Sequence, residues 1–143
     1  MVRTRGSDGV QTEAAIRRAA IDLFAATGFE SVTLRKIAHH VGIQASSLYR
    51  YYPTKNELLM KIIVTHMDDL FARWEAAEPD DAGAMERLHA FIAFHVRYHS
   101  AKPKEVLIAN MEMRSLEPAD QKTVVAMRRR YEDILRQILL DGI

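Results

Sequence analysis

Glycine and proline punctuate this chain so sparsely that they set the length of everything between them. Six glycines and four prolines occur in 143 residues. Beyond the first nine positions they stand at Gly28, Gly42, Pro53, Pro79, Gly83, Pro103, Pro118 and Gly142. In the intervals apolar residues recur three and four apart, and no alternating pattern persists. That predicts an all-α chain. The expected helices cover residues 10–27, 34–40, 44–52, 55–77, 84–100, 103–114 and 118–140. Gly28 follows the first, where a left-handed residue ends a helix. Thr33 is placed to cap the second. Thr54 and Glu57 have the spacing of a capping box at the start of the fourth. Pro103 and Pro118 open the sixth and seventh, and Gly142 stops the last. Residues 78–83, Glu-Pro-Asp-Asp-Ala-Gly, form the clearest loop.

Composition removes several classes of function. There is no cysteine, which excludes a disulfide framework, a thiolate zinc site and a cysteine nucleophile, and agrees with a reducing cytoplasm. No run approaches the roughly 18 apolar residues of a membrane helix, so no membrane partner is expected. The first eleven positions carry Arg3 and Arg5 without an apolar stretch behind them, the pattern of a short disordered tail and not of a secretory leader. Charge is distributed unevenly. Residues 1–55 hold eight Lys and Arg (3, 5, 17, 18, 35, 36, 50, 55) against four Asp and Glu (8, 13, 22, 30), whereas the remainder holds twelve against fifteen. A basic head on a mildly acidic body points to a local polyanion contact.

The informative stretch is 33–55, TLRKIAHHVGIQASSLYRYYPTK. Two short helices are joined by a turn that starts at Gly42, where the backbone needs a conformation other residues resist. Ile37, Ala38, Val41, Ile43 and Leu48 can share a small core. In the third helix Ala45, Leu48, Tyr49 and Tyr52 follow inward spacing, and Ser46, Ser47, Arg50 and Tyr51 lie opposite. The outer face carries hydroxyls, a guanidinium and a phenol but no carboxylate, as a helix entering a phosphate-lined groove requires. Arg50 can donate two hydrogen bonds to a guanine edge. Arg35 and Lys36 in the second helix, and Lys55 at the start of the fourth, supply flanking donors for phosphate. Spacing alone leaves an ordinary solvated helical hairpin as the competing reading.

The residues Ala20, Leu23-Phe24, Gly28-Phe29, Thr33, Ile37-Ala38, Gly42-Ile43, Leu48-Tyr49, Tyr51, Lys55 and Leu58-Leu59 stand in the register of the TetR family of bacterial repressors, which this segment resembles. The match fixes three helices and two turns together. It implies that helices two and three form a helix-turn-helix reading head, with the third in the major groove. It further implies DNA contacts at Arg35, Ala45, Ser46, Ser47, Tyr49, Arg50, Tyr51 and Lys55, with Thr33 and Lys36 beside them. Tyr52 departs from the usual phenylalanine, so its hydroxyl is expected at the surface. His39 and His40 fall on a solvated face. The resemblance also implies a C-terminal helical body that binds an effector and dimerises, dividing the chain into a reading domain, 1–55, and a body, 56–143, with the boundary inside the fourth helix. Family members carry two further helices that form most of the dimer interface. This chain stops at Ile143, where the eighth would begin, so either it is short or the sequence omits a tail.

In the body, Phe91, His95 and Tyr98 of helix five, Met111 and Arg114 of helix six, and Met127 and Tyr131 of helix seven are candidate walls of an effector pocket. Apolar walls with a few polar tips suit an amphipathic small molecule, and methionine adapts to varied shapes. The same stripes serve equally as plain core. Arg114 is a candidate partner for a ligand carboxylate or phosphate. By family analogy the effector is acyl-CoA-like or otherwise hydrophobic. The expected protein is a cytoplasmic, homodimeric repressor on palindromic double-stranded DNA, without catalytic residues, metal or cofactor. Two alternatives stay open. His95 and His99, four apart on one helix, have chelating spacing for a metal-dependent enzyme, though no third ligand or general base is in evidence. A protein-interaction bundle is the other, opposed by the acid-free face of the third helix.

Overall fold

The computed structural model of the protein describes residues 5–143, with side-chain surroundings from Asp8 onward. Among the described residues it holds seven α-helices and no strand: α1 (Arg5–Thr27), α2 (Leu34–Val41), α3 (Ala45–Tyr51), α4 (Lys55–Ala77), α5 (Ala84–Ala101), α6 (Pro103–Met111) and α7 (Pro118–Asp141). Local chemistry sets most of these limits. The Lys36 N–H donates to Thr33 Oγ1 at the start of α2, and the Glu57 N–H donates to Thr54 Oγ1 at the start of α4. Such side-chain caps satisfy N–H groups that have no partner within the helix. Gly28 and Gly42 end α1 and α2 at φ of 85° and 82°. Pro103 and Pro118 sit in the first turns of α6 and α7, where a missing N–H costs nothing.

Two boundaries differ from expectation by more than one residue. Helix α1 begins at Arg5, so positions 5–11 of the supposed disordered arm are helical, while residues 1–4 of that arm, Arg3 among them, lie outside the described residues. Asp8 in the first turn complements the helix dipole, and Thr12 Oγ1 donates to the Asp8 carbonyl at 2.7 Å. Helix α6 stops at Met111, and Met113–Ser115 tighten into a 3-10 turn. That turn drops Leu116 into the core, and Gln121 Nε2 holds the Leu116 carbonyl at 3.0 Å. Gly142 stops α7 as expected, with φ −95°.

Two buried clusters follow from the amphipathic faces. The first joins Ile16, Ala20 and Phe24 of α1 with Ile37 and Ala38 of α2, Leu48 of α3, and Leu58, Leu59, Ile62 and Ile63 of α4. Ile108 of α6, Leu116 and Val124 of α7 complete it from the body side. The second joins Met67, Leu70 and Trp74 of α4 with Phe91 and Tyr98 of α5 and with Tyr131 and Ile138 of α7. Trp74 meets Phe91 edge to face at 5.1 Å, and Phe91 meets Tyr131 at 5.2 Å. At the far end Arg87 bridges Glu78 (2.8 Å) and Asp141 (2.9 Å), tying the α4–α5 loop and α5 to the end of α7.

Gly42 offers a clean test of the turn. A Cβ built there meets nothing within 4 Å, so Gly42→Ala adds only the strain of a left-handed alanine. The variant is expected to lose about 1–2 kcal/mol of stability, read as a lower urea midpoint at unchanged slope.

Candidate nucleic-acid interface and ligand cavity

The α2–α3 unit is built around its turn. The Gly42 N–H donates to the carbonyls of Ala38 (3.0 Å) and His39 (3.2 Å), and the Ile43 N–H donates to Ala38 O at 3.0 Å. Ala38 is buried between the helices, and Leu48 plugs α3 into the core. This orientation leaves Ser46, Tyr49, Arg50 and Tyr51 exposed, with Ala45 and Ser47 half-buried at their edge. Tyr49 was expected inward from its spacing, but it is 43% exposed. Its phenol therefore joins the outer face. Arg35, Lys36 and Thr33 are exposed at the start of α2, and His39 and His40 at its end. No Asp or Glu occurs between Glu30 and Glu57, so the whole unit presents donors and phenols without a carboxylate of its own.

Two of the expected phosphate donors have internal partners. Lys36 Nζ donates to the Ser31 carbonyl at 2.9 Å. Lys55 Nζ donates to the Phe29 carbonyl at 2.7 Å and lies 4.1 Å from the Phe29 ring centre. Tyr52 also departs from expectation. Its hydroxyl is inside, donating to the Glu13 carboxylate of α1, which in turn pairs with Arg17 at 2.9 Å. Burial, with Glu13 alongside, raises the phenol far above its ordinary pKa. Tyr52 thus fastens the end of α3 to α1. Tyr51 Oη stands close to α1 as well, 3.6 Å from where a Cβ on Gly9 would be.

The body contains a cavity of about 430 Å³ between α4, α5, α6 and α7. Met67, Leu70, Phe91, Val106, Ala109 and Leu135 make its walls apolar, and His66, His95, His99, Asn110, Arg128, Tyr131 and Glu132 add polar groups. Of the residues singled out from sequence, Phe91, His95 and Tyr131 line it together. The others stand elsewhere. Tyr98 is buried behind the wall, its hydroxyl 3.0 Å from both the His66 carbonyl and Asp69 Oδ2. Met127 packs on the second core cluster. Met111 is exposed, and Arg114 faces a hollow beside Gly28 and Phe29.

His66, like Asn110, Arg128 and Glu132, is a lining residue that sequence reasoning missed. It is 7% exposed, and its Nδ1 has no hydrogen-bond partner among the described residues. A histidine inside the otherwise apolar stripe Ile62, Ile63, Met67, Leu70 was the available signal. Desolvation, followed by the neighbouring His99, lowers the His66 pKa, and the same two causes lower that of His95. Burial raises the Tyr131 phenol to about 12. The His95 and His99 rings lie 4.0 Å apart, tilted by 34°. Among the described residues no group of three or more His, Cys, Asp or Glu is arranged to hold a metal ion, and no helix is long and apolar enough to cross a membrane.

These lowered values set a pH dependence. A histidine whose folded pKa lies below its unfolded value binds protons more readily when unfolded, so stability is complete above pH about 6.5 and falls as pH drops through the folded pKa. The urea midpoint is expected to decline on acidification below that point, and His66→Phe should flatten the decline. An unchanged slope in the variant would remove His66 from the account.

Comparison with known proteins places both halves. Residues 16–62 match the family described as bacterial regulatory proteins, tetR family, and residues 81–143 match a tetracyclin repressor-like C-terminal domain. A solved regulatory protein of the tetR family from Rhodococcus RHA1 is similar at a TM-score of 0.88 and 30% identity, over 92% of this chain and 69% of that one. The HTH-type transcriptional repressor KstR2 of Mycobacterium tuberculosis is 28% identical over 131 residues, 86% of this chain and 64% of its own. The fatty acid metabolism regulator protein of Bacillus subtilis is 24% identical over 125 residues, 87% of this chain and 64% of its own. The chain thus spans 64% of the length of these two curated relatives.

Proposed function

The chain belongs to the TetR family of bacterial regulators, and from that premise we propose that it acts as a ligand-responsive transcriptional repressor and not as an enzyme. Residues 1–55 form its reading unit, and 56–143 the body that carries the effector cavity. A homodimer sets two α3 helices into successive major grooves of a palindromic operator, about one helical turn apart. The observation that carries this reading is the outer face of α3: Ser46, Tyr49, Arg50 and Tyr51 exposed on a rigid, carboxylate-free unit. Arg50 is the base-reading residue. Ala45, Ser46, Ser47, Tyr49 and Tyr51 shape the contact around it. Thr33, Arg35, Lys36 and Lys55 stand along the phosphates, the two lysines after leaving the carbonyls they now hold. Such a protein works in the cytoplasm, where its DNA is.

The cavity supports the second half of the reading. It is of a size for a small molecule and mostly apolar. The similarity to a transcriptional repressor and to a fatty acid metabolism regulator favours a lipid-like or other amphipathic effector. Phe91, His95 and Tyr131, with His66, His99 and Leu135, are its contact residues. Ligand binding favours one arrangement of α4 and α6 over another, and only that difference in affinity releases the DNA.

The test is fluorescence anisotropy with duplex DNA from upstream of the protein's own gene, against scrambled DNA, at two salt concentrations. Arg50→Ala is expected to weaken operator binding by about 1–3 kcal/mol and to relax specificity, whereas Arg35→Ala should weaken all sequences alike and reduce the salt slope by about one. Equal binding of both duplexes by the unaltered protein, with Arg50→Ala indistinguishable from it, would sink the reading.

A further inference from the structure

Three of the cavity's polar groups are imidazoles drawn from two helices. His66 comes from α4, and His95 and His99 from α5. The His66 and His99 ring centres are 6.4 Å apart, and those of His95 and His99 4.0 Å. Their hydrogen bonds fix much of their chemistry. His99 Nδ1 lies 2.8 Å from the His95 carbonyl, so that nitrogen carries the proton and donates. The other ring nitrogen of a neutral His99 is then an acceptor. His95 Nδ1 lies 3.0 Å from Tyr131 Oη. Of the Nδ1 atoms of these three rings, that of His66 is the one both buried and without a partner among the described residues.

Charge around the cluster is balanced and largely committed. Facing His66 are Asp69 on its own helix, Tyr98 and His99 from α5, Lys102 beyond α5, and Glu105 from α6. Asp69 accepts from Arg73 and Tyr98 and lies 3.5 Å from Lys102 Nζ. Facing His95 are His99 and, from α7, Tyr131. The cation lining the cavity, Arg128, sends Nη2 to the Ala109 carbonyl and to Asn110 Oδ1, and Glu132 lines the same wall. Desolvation, and then the neighbouring His99, disfavours protonation of His66 and of His95. Arg128 holds only neutral oxygens, and the Glu132 carboxylate on the same wall offsets its charge, so the lining offers a carboxylate no net positive charge to repay its desolvation.

We propose that the cavity takes an apolar ligand bearing one uncharged hydrogen-bonding group, a hydroxyl or a carbonyl, gripped by the His66–His95–His99 cluster, and that acidification ejects it. The inference rests on the cavity being the effector site. It adds the chemical class of the effector and a dependence on pH. A hydroxyl matches either tautomer of His66, and a carbonyl matches the one protonated at Nδ1. Protonating the cluster removes its acceptors and places charge beside the ligand's apolar body, so affinity falls with pH.

The probes are 1-decanol and decanoate. The readouts are the fluorescence of Trp74, the chain's one tryptophan, packed on Phe91 of the cavity wall, and the histidine Cε1–H resonances. At about pH 7.5 1-decanol is expected to bind and decanoate to bind more weakly. Between about pH 7.5 and 5.5 the 1-decanol affinity should fall by about threefold or more, and by at most about tenfold per pH unit for one linked proton. Bound 1-decanol should lower the titration midpoint of His66 in the unaltered protein. His66→Phe should bind it weakly and without pH dependence. His99→Gln, at a less buried position, should lose most of the pH dependence and serves where the first variant does not fold. Preferred binding of decanoate that strengthens on acidification would overturn the ligand class and leave the effector cavity standing. Silence of Trp74 and of all three histidines toward both probes would overturn the cavity as a ligand site, and this inference with it.

Discussion

The continuity of α4 is the constraint on which the rest of the molecule depends. Capped by Thr54 and unbroken to Ala77, it is a rod of about 35 Å. Its first turns place Leu58, Leu59, Ile62 and Ile63 in the core of the reading unit, and its later turns place Met67, Leu70 and Trp74 in the core of the body. Because one unbroken helix supplies both cores, a rotation or shift of α4 in one is carried into the other. His66 sits on this rod where one core gives way to the other. A change in what surrounds that imidazole is felt by a helix whose near end holds the Thr54 cap and Lys55.

Helices and caps were legible because their causes are local. Thr33, Gly42 and Thr54 act on neighbours within four residues, and the structure has each doing what its spacing implied. The misreadings come from contacts that sequence distance hides. Helix α3 has only seven residues, and Tyr52, counted into its inward stripe, is in fact its C-cap. With so few turns, Leu48 alone sets which face is buried, and Tyr49 swings out. Lys36 and Lys55 are placed by sequence at helix starts as phosphate donors, yet each finds a carbonyl on the α1–α2 connection. Those carbonyls lie five and twenty-six residues back along the chain, and no periodic pattern points to them.

The cavity was less legible than the reading face for a related reason. A DNA-reading face is one helix with a required chemistry, so a single segment displays it. A cavity is a gap between four helices, and its walls are set by which side of each stripe faces the gap. Helical spacing gives the apolar stripe without that choice. Phe91, His95 and Tyr131 face the gap, and Tyr98 and Met127, on the same helices, pack behind it. Helix α6 was expected to run through Arg114, which would have carried Met111 and Arg114 onto one continuous wall. Its early stop turns Arg114 toward the α1–α2 connection instead.

That early stop gives α6 a second contact that the cavity alone would not require. Val106, Ala109 and Asn110 line the cavity, and Glu112 immediately after the helix accepts a hydrogen bond from the Phe29 N–H at 3.3 Å. Phe29 is the residue whose carbonyl holds Lys55 and whose ring packs against Phe24. Lys104, at the other end of α6, pairs with Asp22 of α1 at 2.7 Å, though so exposed a pair contributes little by itself. Helix α6 thus packs on the α1–α2 connection directly, as well as being joined to it through α4. The two sets of contacts meet at Lys55 and Phe29. Ile108, one residue from the lining Ala109, belongs to the same buried cluster as Ile37, Leu48 and Leu58, so the cavity wall and the α1–α4 core are one continuous packing.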